Sequence, residues 1–141
     1  ELIGVKPTKE NRKKFDLDLE YGQIFEDKIA DMFTKSKVEV KSERGMWMST
    51  GNIAIEYESY GKPSGIMATE SDYWLHNLCD GDFLCLSILI KVDNLKKLIK
   101  ENAFPSVCGG DHNASRMYLI KLDKLVSPQI LKGLNCVKET R

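Results

Sequence analysis

Val38-Glu39-Val40-Lys41-Ser42-Glu43 and Asn52-Ile53-Ala54-Ile55-Glu56-Tyr57-Glu58-Ser59 are the stretches on which the fold turns. Both alternate apolar and charged residues with a period of two, the pattern of a half-buried strand. Residues two apart in a strand point the same way. Glu39, Lys41 and Glu43 therefore share one face of the first strand, opposite Val38 and Val40. Glu56 and Glu58 share a face of the second, opposite Ile53, Ile55 and Tyr57. The intervening Arg44 to Asn52 holds two glycines and is expected to turn the chain, so the pair reads as an antiparallel hairpin with a long loop. Pairing around that loop would bring Lys41 to Glu56 and Glu39 to Glu58.

Working outward, Asp16 or Asp18 can cap a helix that runs to about Phe33 and ends at Lys35 to Lys37. Phe25, Ile29, Met32 and Phe33 form its apolar face. Glu26 borders that stripe, beside the small residues Gly22 and Ala30. A carboxylate there is costly unless it is paired or bound to a metal. Downstream, Gly61-Lys62-Pro63-Ser64-Gly65 is a loop. Thr69-Glu70-Ser71-Asp72 resembles a capping box, so a helix is expected through Tyr73, Trp74, Leu75 and Leu78 to Asp80-Gly81. His76 would lie on its exposed face, and Tyr73 and Trp74 would be core.

Phe83 to Ile90 is a continuous apolar run, as in a central strand buried on both faces. Asp93 caps a short helix, Leu95 to Lys100. Ala103 to Ser115 reads as a loop that includes His112, and Met117 to Leu122 as the last strand. The fold class is α/β: a mixed sheet in the order α-β-β-α-β-α-β, flanked by helices. One domain is expected over 1–141, with 1–15 an N-terminal arm and 128–141 a C-terminal tail.

The chain has 141 residues, 42% of them hydrophobic and 30% charged, enough to bury a core. Its 21 basic and 21 acidic residues cancel, which argues against a strongly basic, non-specific nucleic-acid binder but leaves local patches open. The longest apolar run is far shorter than the roughly 20 residues of a membrane span. Lys6, Lys9, Arg12, Lys13 and Lys14 lead into no apolar stretch, so no signal peptide is expected. Cys79, Cys85, Cys108 and Cys136 show no C-x-x-C spacing, and His76 and His112 are the only histidines. Zinc is not indicated. The cysteines read as reduced thiols, consistent with a cytoplasmic setting.

Crowded carboxylates repel one another, and a hard divalent cation removes that cost. Magnesium takes oxygen ligands, usually one or two carboxylates with water and phosphate oxygens. A lysine among such acids can hold an attacking water or steady a charged transition state. A solvated sheet face with cross-strand Lys–Glu pairs would present the same residues.

Several of these segments also resemble a known superfamily. Tyr21-Gly22-Gln23-Ile24-Phe25-Glu26-Asp27-Lys28-Ile29-Ala30 looks like the opening helix of PD-(D/E)xK nucleases, and Glu39-Val40-Lys41 is a literal E-x-K. These segments, with Thr50 to Glu56, Gly61 to Ile66 and Asp72-Tyr73-Trp74, resemble small phage-encoded members over roughly Phe15 to Ile120. The resemblance implies a restriction-endonuclease-like fold that hydrolyses DNA phosphodiesters with Mg2+ or Mn2+, for example as a Holliday-junction resolvase.

Two registers of the motif compete. In one, Glu39 and Lys41 are the E-x-K, Glu26 is the helix acid and the preceding strand acid is missing. In the other, Glu43 or Glu39 is the strand acid, Glu56-Tyr57-Glu58 replaces (D/E)-x-K, and Lys41 supplies the lysine. Glu26, Glu39, Lys41, Glu43 and Glu56 are the implied catalytic residues. Glu26, Glu39, Glu43, Glu56 and Glu58 are the implied metal ligands. Lys62 and Ser64 could meet a DNA phosphate, and Trp47 could stack on a base or wedge a branched junction, or pack on the domain. The implied partners are duplex or branched DNA and a second copy of the chain, the setting a host cytoplasm with a virus-encoded protein. The alternative is a catalytically degenerate module of the same fold that binds DNA or a host protein.

Overall fold

The structure, a computed structural model, describes residues 9–134. The chain forms two compact units, Glu1–Ser36 and Lys37–Arg141. The first holds one helix, α1 (Lys9–Lys35). It starts earlier than Asp16 or Asp18, which lie inside it, because Lys9 to Lys14 are mostly good helix formers and extend it towards the N-terminus. The expected arm is thus helical from Lys9. Phe25, Ile29 and Phe33 are exposed along α1, as is Glu26.

The second unit is mixed α/β. Its elements are β1 (Val38–Arg44), α2 (Met46–Thr50), β2 (Asn52–Ser59), β3 (Lys62–Pro63), β4 (Tyr73–Asp80), β5 (Phe83–Lys91), α3 (Val92–Glu101), β6 (Ser106–Gly109), β7 (Ser115–Lys121), α4 (Leu122–Leu125) and α5 (Pro128–Gly133). They build two sheets, one ordered β1-β4-β5 and one ordered β3-β2-β7-β6. In the first, β1 runs parallel to β4 and β5 antiparallel to it. The second is antiparallel throughout.

The strands at Val38 and Asn52 form as expected, but not as a hairpin. β1 pairs with β4, and β2 pairs with β3 and β7. The connection explains this. Gly45 (φ 76°) and Gly51 (φ 69°) bracket a single helical turn, and Gly51 closes it by donating its N–H to the Trp47 carbonyl. Both glycines adopt a backbone that other residues rarely reach. A connection so bent sends β2 into a second sheet instead of back along β1.

The segment Tyr73–Asp80 is β4, a strand and not a helix. Trp74, His76 and Leu78 are buried while their neighbours are only partly so, a period of two. Both edges of β4 are taken by partner strands, and that pairing outweighs a local capping signal. His76 is consequently 2% exposed instead of lying on an open helix face. β5 matches the apolar run but is an edge strand. Phe83, Leu84 and Leu86 are exposed, and only Ile88 to Ile90 are partly buried. The span Ala103 to Ser115, expected as a loop, contributes β6, which pairs along β7 before a tight turn at Asp111–Asn113. The observed order is therefore α-β-α-β-β-β-β-α-β-β-α-α in place of α-β-β-α-β-α-β.

The core joins the two sheets to α3. Ile53, Ile55 and Ile120 of the second sheet pack with Trp74 and Leu78 of the first, and with Ile66. Val92, Leu95, Leu98 and Ile99 form the buried stripe of α3. Asp93 sits inside its first turn, not at the cap, which is Lys91; an acid there still opposes the helix dipole favourably. Each such fully buried aliphatic side chain contributes about 1.5–3 kcal/mol. The tail from Pro128 holds α5, capped by the Ser127 hydroxyl, which accepts from the Ile130 N–H. No helix among the described residues is long and apolar enough to cross a membrane.

Candidate active-site cleft

β1 and β4 pair in parallel with Lys41 opposite His76 and Glu43 opposite Leu78. Paired residues in adjacent strands point to one side of a sheet. Glu39, Lys41 and Glu43 thus share a face with Trp74, His76 and Leu78. On β2, Ala54 and Glu56 pair with Leu119 and Met117 of β7 and face the same way as each other. These two faces enclose a cleft of about 680 Å³ whose walls carry Lys41, Glu43, Glu56 and His76. Trp47 closes one side, its indole N–H donating to the Cys79 carbonyl at 2.9 Å. That bond packs Trp47 on its own domain.

Glu43 reaches across from one sheet to the other. Its Oε1 accepts the backbone N–H of Ala54. Backbone groups of a strand alternate between its two edges. β3 covers β2 only at Glu58 and Ser59, so the Ala54 N–H points to an edge without a strand partner. The carboxylate takes the place of that strand.

Glu56 stands two residues further along β2, about 6.6 Å on. Its Oε1 accepts from the Ser64 hydroxyl at 2.5 Å. The Gly61–Gly65 turn makes this possible: the Ser64 N–H donates to the Tyr57 carbonyl at 3.0 Å, folding the loop back on β2. Among the described residues, the second oxygens of Glu43 and Glu56 have no protein partner.

Lys41 lies 2.8 Å from Glu39 on its own strand, and its ammonium is 5.9 Å from the centre of the Trp74 ring. Glu39 also accepts from the Thr69 hydroxyl at 3.5 Å. This pair is partly solvated, so its net worth is no more than about 1 kcal/mol.

His76 was not among the residues singled out for chemistry. Its Nδ1 accepts from the Trp74 indole N–H at 3.1 Å. Indole nitrogen only donates, so Nδ1 carries the lone pair and the proton of the neutral ring sits on Nε2. Nε2 lies 3.2 Å from Glu43 Oε1, yet the contact is not aligned as a hydrogen bond, and Nε2 has no other partner among the described residues. The alternation Trp74-x-His76-x-Leu78 was the signal that could have found it.

The structure takes Glu58 out of this set. A bulge between Glu56 and Glu58 pairs Glu56 with Met117 but Glu58 with Arg116. Adjacent residues of β7 point to opposite faces, so Glu58 leaves the side that Glu56 occupies and binds Arg116 at 3.1 Å. The expected contacts of Lys41 with Glu56 and of Glu39 with Glu58 through hairpin pairing do not form, because the strands lie in different sheets. Glu26 belongs to the N-terminal unit. Lys62 is exposed on β3.

Among the described residues, no three His, Cys, Asp or Glu side chains gather as a metal-holding group. The donor set in the cleft is instead a pair of carboxylates, each with one oxygen fixed by a local donor. That set suits a hard cation that completes its shell with water and phosphate oxygens. Cys79, Cys85 and Cys108 are free thiols, and Cys136 lies outside the described residues. No family model, curated protein or solved structure matches the chain.

Proposed function

We propose that the chain is a divalent-metal-dependent endonuclease that hydrolyses DNA phosphodiesters, a PD-(D/E)xK-type enzyme in its second register. Glu43 is the strand acid, Glu56 the second acid, and Lys41 the lysine supplied from the neighbouring sheet. The observation that carries this reading is the pair Glu43 and Glu56, brought from two sheets to one cleft and each oriented by a local donor. Oriented carboxylates of this kind are how ligating side chains are prepared for a metal. Mg2+ or Mn2+ would polarise the phosphate and supply a hydroxide nucleophile when bound. Lys41, on the same wall, supports the developing negative charge of the phosphate. Lys62, exposed on the turn that fixes Glu56, would meet the backbone of a DNA substrate in this reading. Paired cuts would call for a second copy of the chain, and a branched substrate such as a four-way junction fits that arrangement.

The test is nicking of supercoiled plasmid and of a four-way junction with Mg2+ or Mn2+ against EDTA. Cutting that needs metal and disappears in Glu56→Ala is the expected result. Intact DNA from well-folded wild type on both substrates would overturn the assignment.

A second reading has its own observation. Lys41 is already paired with Glu39, and the cleft offers two carboxylates rather than three. A degenerate module that binds DNA or a host protein through this cleft would look the same. Calorimetric titration with Mn2+ separates the two readings, since the module would give no heat of binding at millimolar metal.

A further inference from the structure

We infer that His76, locked as its Nε2–H tautomer by Trp74, is the positioning residue that fixes the Glu43 carboxylate across the gap between the two sheets. Four observations converge. His76 is 2% exposed, so its ring is held by packing and not by water. The indole N–H of Trp74 occupies Nδ1. Nε2, which carries the proton, lies 3.2 Å from Glu43 Oε1, close but not aligned as a hydrogen bond. Oε1 is also the atom that accepts the Ala54 N–H.

The physical case rests on what a buried donor costs. An N–H shielded from water without a partner is destabilising. Nε2 has no aligned bond in the resting arrangement, and a small rotation of Glu43, 3.2 Å away, would supply one. Two donors, from His76 and Ala54, then bracket one carboxylate oxygen. The other oxygen of Glu43 stays free for a ligand in the cleft. His76 acts through Glu43 and does not touch the ligand.

The part of this inference that concerns a cleft ligand rests on the proposed metal reading. The part that concerns Glu43 orientation does not, and the experiment keeps them apart. Nitrogen NMR of the full chain reports the protonation of the two ring nitrogens of His76. The expected result is a bare Nδ1 and a protonated Nε2. A proton on Nδ1, in the other tautomer or in the imidazolium, overturns the inference.

Amide exchange at Ala54 reads the orientation of Glu43 without any metal. His76→Phe should speed it about tenfold or more, the scale of losing one charge-assisted bond. His76→Gln, which keeps an acceptor for Trp74 and a donor for Glu43, should restore most of the protection. If His76→Phe fails to fold, Trp74→Phe removes the indole donor together with part of a buried ring and should speed Ala54 exchange in the same direction, beyond any change at core amides distant from Glu43. Unchanged Ala54 exchange in these variants overturns the positioning role. Mn2+ titration supplies the last arm: His76→Phe should weaken binding about tenfold, as outer-shell losses do. Unaltered Mn2+ binding in Glu43→Ala would overturn the metal reading and leave the positioning role to the exchange data.

Discussion

Gly65 lies against the backbone of Glu56: a Cβ on Gly65 would stand 2.1 Å from the Glu56 carbonyl oxygen. Its φ of +49° adds a conformation that side chains resist. The chain can place the Ser64 hydroxyl on the Glu56 carboxylate because glycine permits this approach. Gly65→Ala should therefore cost about 2–4 kcal/mol. Gly61, in the same turn with φ +74° but open space around it, should cost only about 1 kcal/mol as Gly61→Ala. Urea unfolding of both variants checks the difference. Equal costs would mean that the turn does not press on β2.

Ser64 itself separates orientation from stability. Its hydroxyl is the donor that Glu56 Oε1 accepts. Ser64→Ala should cost about 1 kcal/mol of stability and lower Mn2+ affinity less than Glu56→Ala does. Lys62→Ala, on the exposed side of the turn, should leave metal binding intact and weaken DNA binding with a shallower salt dependence, by about one unit of slope. Metal titration and DNA binding at two salt concentrations would show whether the two effects divide in this way.

Glu43 and Glu58 make a matched contrast. The bulge in β2 sends Glu58 to the face of Arg116, where the pair is half solvated, while Glu43 satisfies the Ala54 N–H beside the cleft. Glu58→Ala should change stability by less than about 1 kcal/mol and leave cleavage and metal affinity as they are. Glu43→Ala strips a backbone donor of its partner and should cost about 1–3 kcal/mol, together with metal binding. Loss of metal binding in Glu58→Ala would return Glu58 to the ligand set.

Period-two alternation is enough to place β1 and β2, the apolar run from Met117 is enough to place β7, and the acidic residues on β1 and β2 stand out by the same alternation. The partners of those strands were not legible. Gly45 and Gly51 read as turn residues, but nothing local says that the turn carries β2 into another sheet. Tyr73–Asp80 does not read as a strand because β4 lies between two others: Tyr73, Leu75 and Cys79 on its other face are partly buried too, and the mixture mimics a helical stripe. The same mixture conceals His76. The bulge that turns Glu58 away has no signature in Glu56-Tyr57-Glu58.

The burial of β4 against that of β5 can be tested directly. Leu78 is completely buried in the middle sheet position, whereas Leu84, on the neighbouring edge strand, is 62% exposed. Leu78→Ala should destabilise by about 2–5 kcal/mol, the cost of a cavity in a packed core. Leu84→Ala should fall within about 0.5 kcal/mol of the wild type. A helix over the same residues would not bury His76 and Leu78 together while exposing Asp80. Thermal unfolding of the two variants, read by circular dichroism, checks that Leu78 is in the core and Leu84 at the open edge.

Residues 1–36 form a unit of their own, and every core residue from Ile53 to Leu125 belongs to the other. A chain of residues 37–141 should therefore unfold cooperatively, with a midpoint within a few degrees of the full chain. Glu43, Glu56, Lys41 and His76 all remain in it. If two oriented carboxylates are enough for the cation, the shortened chain should keep its Mn2+ affinity, and Glu26→Ala in the full chain should do the same. If the shortened chain folds but loses metal binding, and Glu26→Ala reproduces that loss, then Glu26 is a third ligand and the helix acid of the first register is restored. Removing α1 should also raise solubility, because Phe15, Leu19, Phe25, Ile29 and Phe33 are exposed along it. Unfolding curves and metal titrations on the same three proteins separate a stability role for residues 1–36 from a ligand role for Glu26.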